Sequence, residues 1–162
     1  MALAQAATAQ QPFDAEYMLY LHNVARQEAD PSATTPIADL AWDPALARSA
    51  AAFAAECRMG HSGAAGVGEN NFYSSSTAVT SPEAVVNSWV SERQFYDIGA
   101  NACANGRICG HYTQVVWAGT THVGCGVAIC DPPIKGQWGQ KWVCQYAPPG
   151  NYVDQRPYEP QW

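Results

Sequence analysis

The chain is short of positive charge. Eight lysines and arginines face fourteen aspartates and glutamates across 162 residues, a net charge of -6. With no cluster of cations to meet phosphates, a nucleic-acid partner is excluded, and an anionic membrane surface is no electrostatic target. Long apolar runs are missing as well: none approaches the roughly 18 to 20 residues that cross a bilayer, so no transmembrane segment is expected. The opening MALAQAATAQQ has no charged stretch followed by a strongly apolar one and does not read as a signal peptide. Residues 1–12 are expected as an unfolded tail. Three compact motifs are also absent: CxxC, which sets aside a zinc ribbon or a redox dithiol, HExxH, and the GxSxG nucleophile elbow. There is no internal repeat, and SSSTAVTS, residues 74 to 81, reads as a loop.

Against these absences stand six cysteines and a 48% hydrophobic content. An even cysteine number in a chain of this size predicts three disulfides and an oxidising, secreted setting. The alternative is free or metal-bound thiols in the cytosol. The hydrophobic content and length suit one core, hence one domain and a monomer.

Three helices are predicted. The first begins near Asp14, with Tyr17, Leu21, Val24 and Ala25 at helical spacing, and stops before Pro31. A second opens with Asp43 as N-cap and Pro44 at the first helical position, then runs alanine-rich through Leu46, Ala50, Phe53 and Cys57 to Gly60. Its alanines favour helix and allow close packing. The third repeats the entry signal with Ser81 and Pro82, and carries Val85, Trp89, Glu92 and Tyr96 on one stripe.

Toward the C-terminus the period changes to two. In HVGCGVAIC, residues 122–130, Val123, Cys125, Val127 and Ile129 alternate with Gly124, Gly126, Ala128 and Cys130. QKWVCQYA, residues 140–147, is a second strand, with DPPIKGQWG as a long hairpin connection. Helices first and strands after predict an α+β sandwich. Cys125 and Cys130 point to opposite faces and need different partners. Cys144 suits Cys125, Cys103 and Cys109 could close a small loop, and Cys57 is left for Cys130; this is one of fifteen pairings.

Four residues are candidates for chemistry. His61 follows Gly60 past a helix end, Glu69 lies in GVGENN, Glu92 sits on an apolar stripe, and His111 heads GHYTQVVW. A carboxylate on a buried face needs a cation, a metal or hydrogen-bond donors. Two imidazoles with two carboxylates can hold a divalent metal or move a proton. On spacing alone the plain reading carries more weight: Glu92 exposed near a helix end and His61 a polar cap. Ser62 is the best serine, while the cysteines, once oxidised, offer no thiolate. His22 is expected to face solvent or cap a neighbour, and His122 to open a strand; neither is given a role.

GHYTQVVW (110–117), HSG with GEN (61–63 and 68–70), WVSERQFYD (89–97) and CQYAPPGNY (144–152), in this order, resemble the CAP superfamily: cysteine-rich secretory proteins, antigen 5 and pathogenesis-related class 1 proteins, with the plant class and similar fungal proteins most alike. The resemblance covers residues 13–158 as one CAP domain and leaves 159–162 as a C-terminal extension. It implies a three-layer α-β-α sandwich with a central antiparallel sheet, secretion to the extracellular space, GHYTQVVW on a short helix, and disulfides Cys57–Cys130, Cys103–Cys109 and Cys125–Cys144. It implies a cleft tetrad of His61, Glu69, Glu92 and His111, in which His61 and His111 can bind zinc or another divalent ion that is not obligatory. It also implies a non-enzymatic module for a sterol or fatty acid, acting in host-pathogen interaction or lipid export, with DIGANACANGRIC (97–109) as the sterol loop. Two alternatives stay open: a metal-dependent or serine hydrolase built on the tetrad with Ser62, and a precursor releasing PPGNYVDQRPY (148–158) as a signalling peptide, a segment that could equally wrap the sheet.

Overall fold

Each predicted helix entry is made by the side chain that announced it. In the computed structural model, which describes residues 12–162, Asp14 accepts from the Tyr17 amide at 3.0 Å, Asp43 from Ala45 and Leu46, and Ser81 from Ala84. These bonds satisfy amides that a first turn leaves unpaired. The expected tail over 1–12 lies outside the described residues except for Pro12. In chain order the elements are α1 (Ala15–Gln27), β1 (Ala41–Trp42), α2 (Pro44–Ala55), β2 (Gly68–Ser74), α3 (Pro82–Val90), a 3-10 turn (Ser91–Phe95), β3 (Tyr96–Asp97), β4 (Ala102–Cys103), α4 (Gly110–Val115), β5 (His122–Ile134) and β6 (Trp138–Ala147).

Several sequence expectations shift. The stripe from Val85 to Tyr96 does not stay α-helical, because α3 ends at Val90. Ser91 Oγ bonds back to the Ser88 carbonyl and Gln94 to the Ser91 carbonyl, so side chains compete for acceptors and the chain tightens into a 3-10 turn. α2 stops at Ala55, and Cys57 already has φ of 47°. β5 runs on through Asp131 and both prolines to Ile134, with the pairing irregularity between Ile129 and Ile134. GHYTQV forms a helix, α4.

The main sheet has the order β1-β5-β6-β2. Its β5–β6 and β6–β2 pairs are antiparallel, but β1 lies parallel to β5, so the expected antiparallel sheet carries one parallel edge. β3 and β4 form a separate small ribbon. On one face Val123, Cys125, Trp142, Cys144 and Tyr146 pack with Met18, Val85, Trp89, Tyr112 and Val115 from α1, α3 and α4. On the other, Val143 meets Ala50, Phe53 and Ala54 of α2. The result is an α+β sandwich, as the element order predicts, with helices on both faces of the sheet, as the resemblance implies.

Two glycines set the spacing of the α2 layer. A Cβ on Gly124 would lie 2.2 Å from the Ala47 amide nitrogen, and one on Gly126 2.3 Å from Ala51 Cα. Helix backbone rests directly on strand backbone, which is why the facing positions are glycine and alanine. All three disulfides join as expected: Cys57–Cys130, Cys103–Cys109 and Cys125–Cys144, the last pair directly opposed in the β5–β6 register.

The buried face of α1 is not the one its apolar spacing selects. Met18, His22, Ala25 and Arg26 are buried, whereas Tyr17 is exposed. The polar members are satisfied: Arg26 donates to the carbonyls of Ala38, Val115, Trp117 and Thr120 and so clamps α1 to the end of α4. Burial, foremost, lowers its pKa to about 10.

Candidate functional site

α4 begins beside the 3-10 turn, and that places Glu92 under its first residues. Glu92 accepts from the His111 and Tyr112 amides at 3.0 and 3.1 Å, and from His111 Nδ1 at 2.6 Å. Its side chain is 14% exposed, so the expectation that this acid needs a partner is met by an imidazole and two backbone donors. The His111 ring lies nearly parallel to the Trp89 indole, with centroids 6.2 Å apart, which fixes its plane.

The second pair is built on β2. Glu69, 6% exposed, accepts from His61 Nδ1 and the Ser62 amide on Oε1, both at 3.0 Å, and from Ser62 Oγ and Gln145 Nε2 on Oε2 at 2.5 and 3.1 Å. Burial alone would raise this carboxyl, but the donors of Ser62, Gln145 and His61 together hold it below the usual carboxylate range. His61 is 64% exposed and presents the rest of its ring to solvent. Its loop is held from beneath by Lys141, whose buried ammonium donates to the Arg58 carbonyl at 2.8 Å and sits over the Phe53 ring; burial above all lowers its pKa to about 8.

β2 joins the two pairs. Glu69 faces His61, and the next residue, Asn70, turns to the opposite face and donates to the His111 carbonyl at 3.0 Å. Gly68 lets α4 come this close, because a Cβ there would lie 2.0 Å from Gln114 Oε1. Asn70 also donates to the Tyr146 hydroxyl, which in turn donates to His22 Nε2 at 2.9 Å, while His22 Nδ1 donates to the Met18 carbonyl at 2.8 Å. His22 is therefore fully buried rather than facing solvent, and burial lowers its pKa to about 4, so it is a neutral core imidazole. The sequence signal for it was its spacing four residues after Met18. Asn70 and Tyr146 carried none.

In both pairs the carboxylate accepts from Nδ1, so each ring turns its Nε2 away from the acid. A cleft of about 210 Å³ opens beside His61, Glu69 and Gln114. Ser62 spends its hydroxyl proton on Glu69 and not on an imidazole, so the nucleophile–base contact of a serine hydrolase is not made. Among the described residues, one triad brings three ligand atoms within 4.8 Å of one another: His22, Cys125 and Cys144. That buried triad could hold a divalent ion only with its disulfide reduced, so metal there is not obligatory to the fold. No described helix is long and apolar enough to cross a membrane.

Comparison with known proteins gives the following. Residues 19–146 match the cysteine-rich secretory protein family, CAP. Over 145 residues the chain is 41% identical to Peptidase inhibitor 16 of Bos taurus, covering 88% of this chain and 31% of that protein, so it spans about a third of that relative. Over 141 residues it is 39% identical to Pathogenesis-related protein PR-1 type of Sambucus nigra, covering 85% of this chain and 77% of the relative. The crystal structure of NaASP2 with Zn2+ superposes with a TM-score of 0.69 at 26% identity, over 90% of this chain and 85% of that one.

Proposed function

Because the chain belongs to the cysteine-rich secretory protein family, CAP, we propose that it acts outside the cell as a monomeric, non-enzymatic binding module that takes up a divalent cation through His61 and His111. The observation that carries this reading is the matched pairing of each Nδ1 with a carboxylate, Glu69 for His61 and Glu92 for His111. Metal-ligating histidines are oriented in this way, with the outer carboxylate fixing the tautomer and raising the basicity of the free nitrogen. The donor set, two imidazoles beside two acids, suits zinc. A bound ion would supply a positive centre with coordination positions left for an extracellular ligand. The zinc-containing NaASP2 structure supports the reading.

Zinc titration by calorimetry tests it. The expected result is saturable binding at pH 7.5, lost in His61→Ala with His111→Ala and weakened about tenfold or more by Glu69→Gln or Glu92→Gln. No binding, or binding unchanged in the double histidine variant, removes the proposal.

A second reading, a small hydrophobic ligand such as a fatty acid or sterol handled in host-pathogen interaction or lipid export, draws on the cavity of about 560 Å³ between the end of α1 and α3. Its walls combine Ala25, Val90 and Tyr112 with Arg93 and Asn87. Arg93 is the group that could meet a fatty-acid carboxylate there, with Glu28 and Asp30 on the same walls opposing it. Displacement of a fluorescent fatty acid, weakened in Arg93→Ala, is the expected outcome; no displacement by any fatty acid counts against it. Release of 148–158 as a peptide has less support. Arg156 donates to the Ile98 and Gly99 carbonyls, the Ala118 amide to the Pro157 carbonyl, and Tyr158 to the Pro31 carbonyl. This segment is tied down on loops rather than along a sheet edge.

A further inference from the structure

A cleft of about 280 Å³ opens between the 103–109 disulfide loop and the C-terminal segment, and the tetrad plays no part in it. Its walls carry the aromatic rings of Tyr96, Trp117 and Tyr152, and the planar polar groups of Asn101, Asp154 and Gln155. Tyr152 is 52% exposed and its ring is tilted by 52° to Trp117, with centroids 6.2 Å apart, so the two aromatics form the sides of an open wedge. Asn101 is fixed by the Tyr96 hydroxyl, which donates to its Oδ1 at 2.7 Å and leaves the amide NH2 for another acceptor. Among the described residues, the side chains of Asp154 and Gln155 make no hydrogen bond within the protein. Asn101 and Asp154 are both held at left-handed φ, 49° and 63°, a conformation that costs free energy and is tolerated best by Asn and Asp.

The chemistry of these walls selects among ligands. No lysine or arginine lines the cleft, and Asp154 does, so an anion is repelled. A sterol has one hydroxyl on a large hydrocarbon and would bury the Asn101 amide and the Asp154 carboxylate unpaired, a cost of about 1–3 kcal/mol for each group. A sugar ring matches both features. Its apolar face can lie on an aromatic ring, and its neighbouring hydroxyls each donate and accept, as a set of one carboxylate and two amides requires. We infer that this cleft binds one ring of a neutral saccharide, with Tyr152 as the platform and Asp154 and Asn101 as the hydroxyl-reading groups. The volume is at the lower end for a ligand site, which suits a single ring of a longer chain that continues into solvent.

Saturation-transfer NMR and calorimetry on the full chain test this, with cellotetraose, chitotetraose and cholesterol as probes. At least one oligosaccharide is expected to bind saturably. Its affinity should fall roughly tenfold or more in Tyr152→Ala and in Asp154→Asn, and be unchanged in Tyr20→Ala, a substitution of an exposed tyrosine on α1. Both cleft variants are compatible with the fold, since Tyr152 is half exposed and asparagine tolerates the left-handed φ of position 154; unchanged melting temperatures verify that. No saturation by either oligosaccharide up to roughly 10 mM overturns the inference. So does binding that survives both cleft substitutions, or displacement of the sugar by cholesterol from the same residues.

Discussion

His22 has its ordinary pKa near 6.5 only when the chain is unfolded; burial lowers it to about 4 in the native core. Between these two values the unfolded chain holds a proton that the folded one does not, so stability rises with pH across the window and is lost as pH falls from 6.5 toward 4. The shift corresponds to about 3 kcal/mol. Urea denaturation is expected to show a decline of that order between pH 7 and 4, with a flatter profile in His22→Gln. Glu69 acts lower on the scale. Its folded pKa lies below the model-compound value of 4.5, so its stabilisation is present above 4.5 and is lost as pH falls below it. Glu69→Gln should remove that lower limb while lowering stability at pH 7, since a neutral amide cannot accept from five donors as a carboxylate does. At this scale the sequence was half legible. His61, Glu69, Glu92 and His111 could be picked out as two acids and two imidazoles near turns and stripes. The residues that position them could not: Asn70, Gln145 and Lys141 are interior polar side chains on strands, and only the β2–β6 register reveals that they face the site.

α4 is six residues long, too short to persist on its own propensity. Its first turn is held by the Glu92 carboxylate and its last by Arg26. Glu92→Ala is expected to cost about 2 kcal/mol and to speed hydrogen exchange at the His111 and Tyr112 amides, with Glu92→Gln intermediate; exchange mass spectrometry reads both. α2 is held in the opposite way, by contact without side chains. Gly126→Ala drives a methyl into the Ala51 backbone and should lower stability by about 1–3 kcal/mol in a thermal melt. Helix entries were readable because a cap is a local event: Asp43 and Ser81 each act within three residues. Helix exits were less so. Ser91 and Gln94 end α3 through bonds that apolar periodicity does not register, and the buried face of α1 was obscured because His22 and Arg26 occupy it as satisfied polar groups.

Across the whole molecule the three disulfides differ in reach. Cys57–Cys130 spans 73 residues of sequence and Cys103–Cys109 only 6. On loop-closure grounds, removing the first should cost about 4 kcal/mol and removing the second about 2. Paired Cys→Ser variants compared by guanidinium denaturation check the order; equal losses would place the effect in native packing instead. Strand alternation in β5 indicated which cysteines lie on opposite faces, but the parallel β1 edge was invisible, since two residues carry no period of their own. The sheet order has a consequence for how the chain is made. β6, Trp138–Ala147, is an inner strand between β5 and β2, yet it is the last strand of the sheet in chain order. Until it leaves the ribosome, β2 has no neighbour in the sheet and Glu69 faces a half-built wall. The nascent sheet therefore carries unpaired strand edges until β6 emerges, and a chain stalled before Trp138 is expected to aggregate.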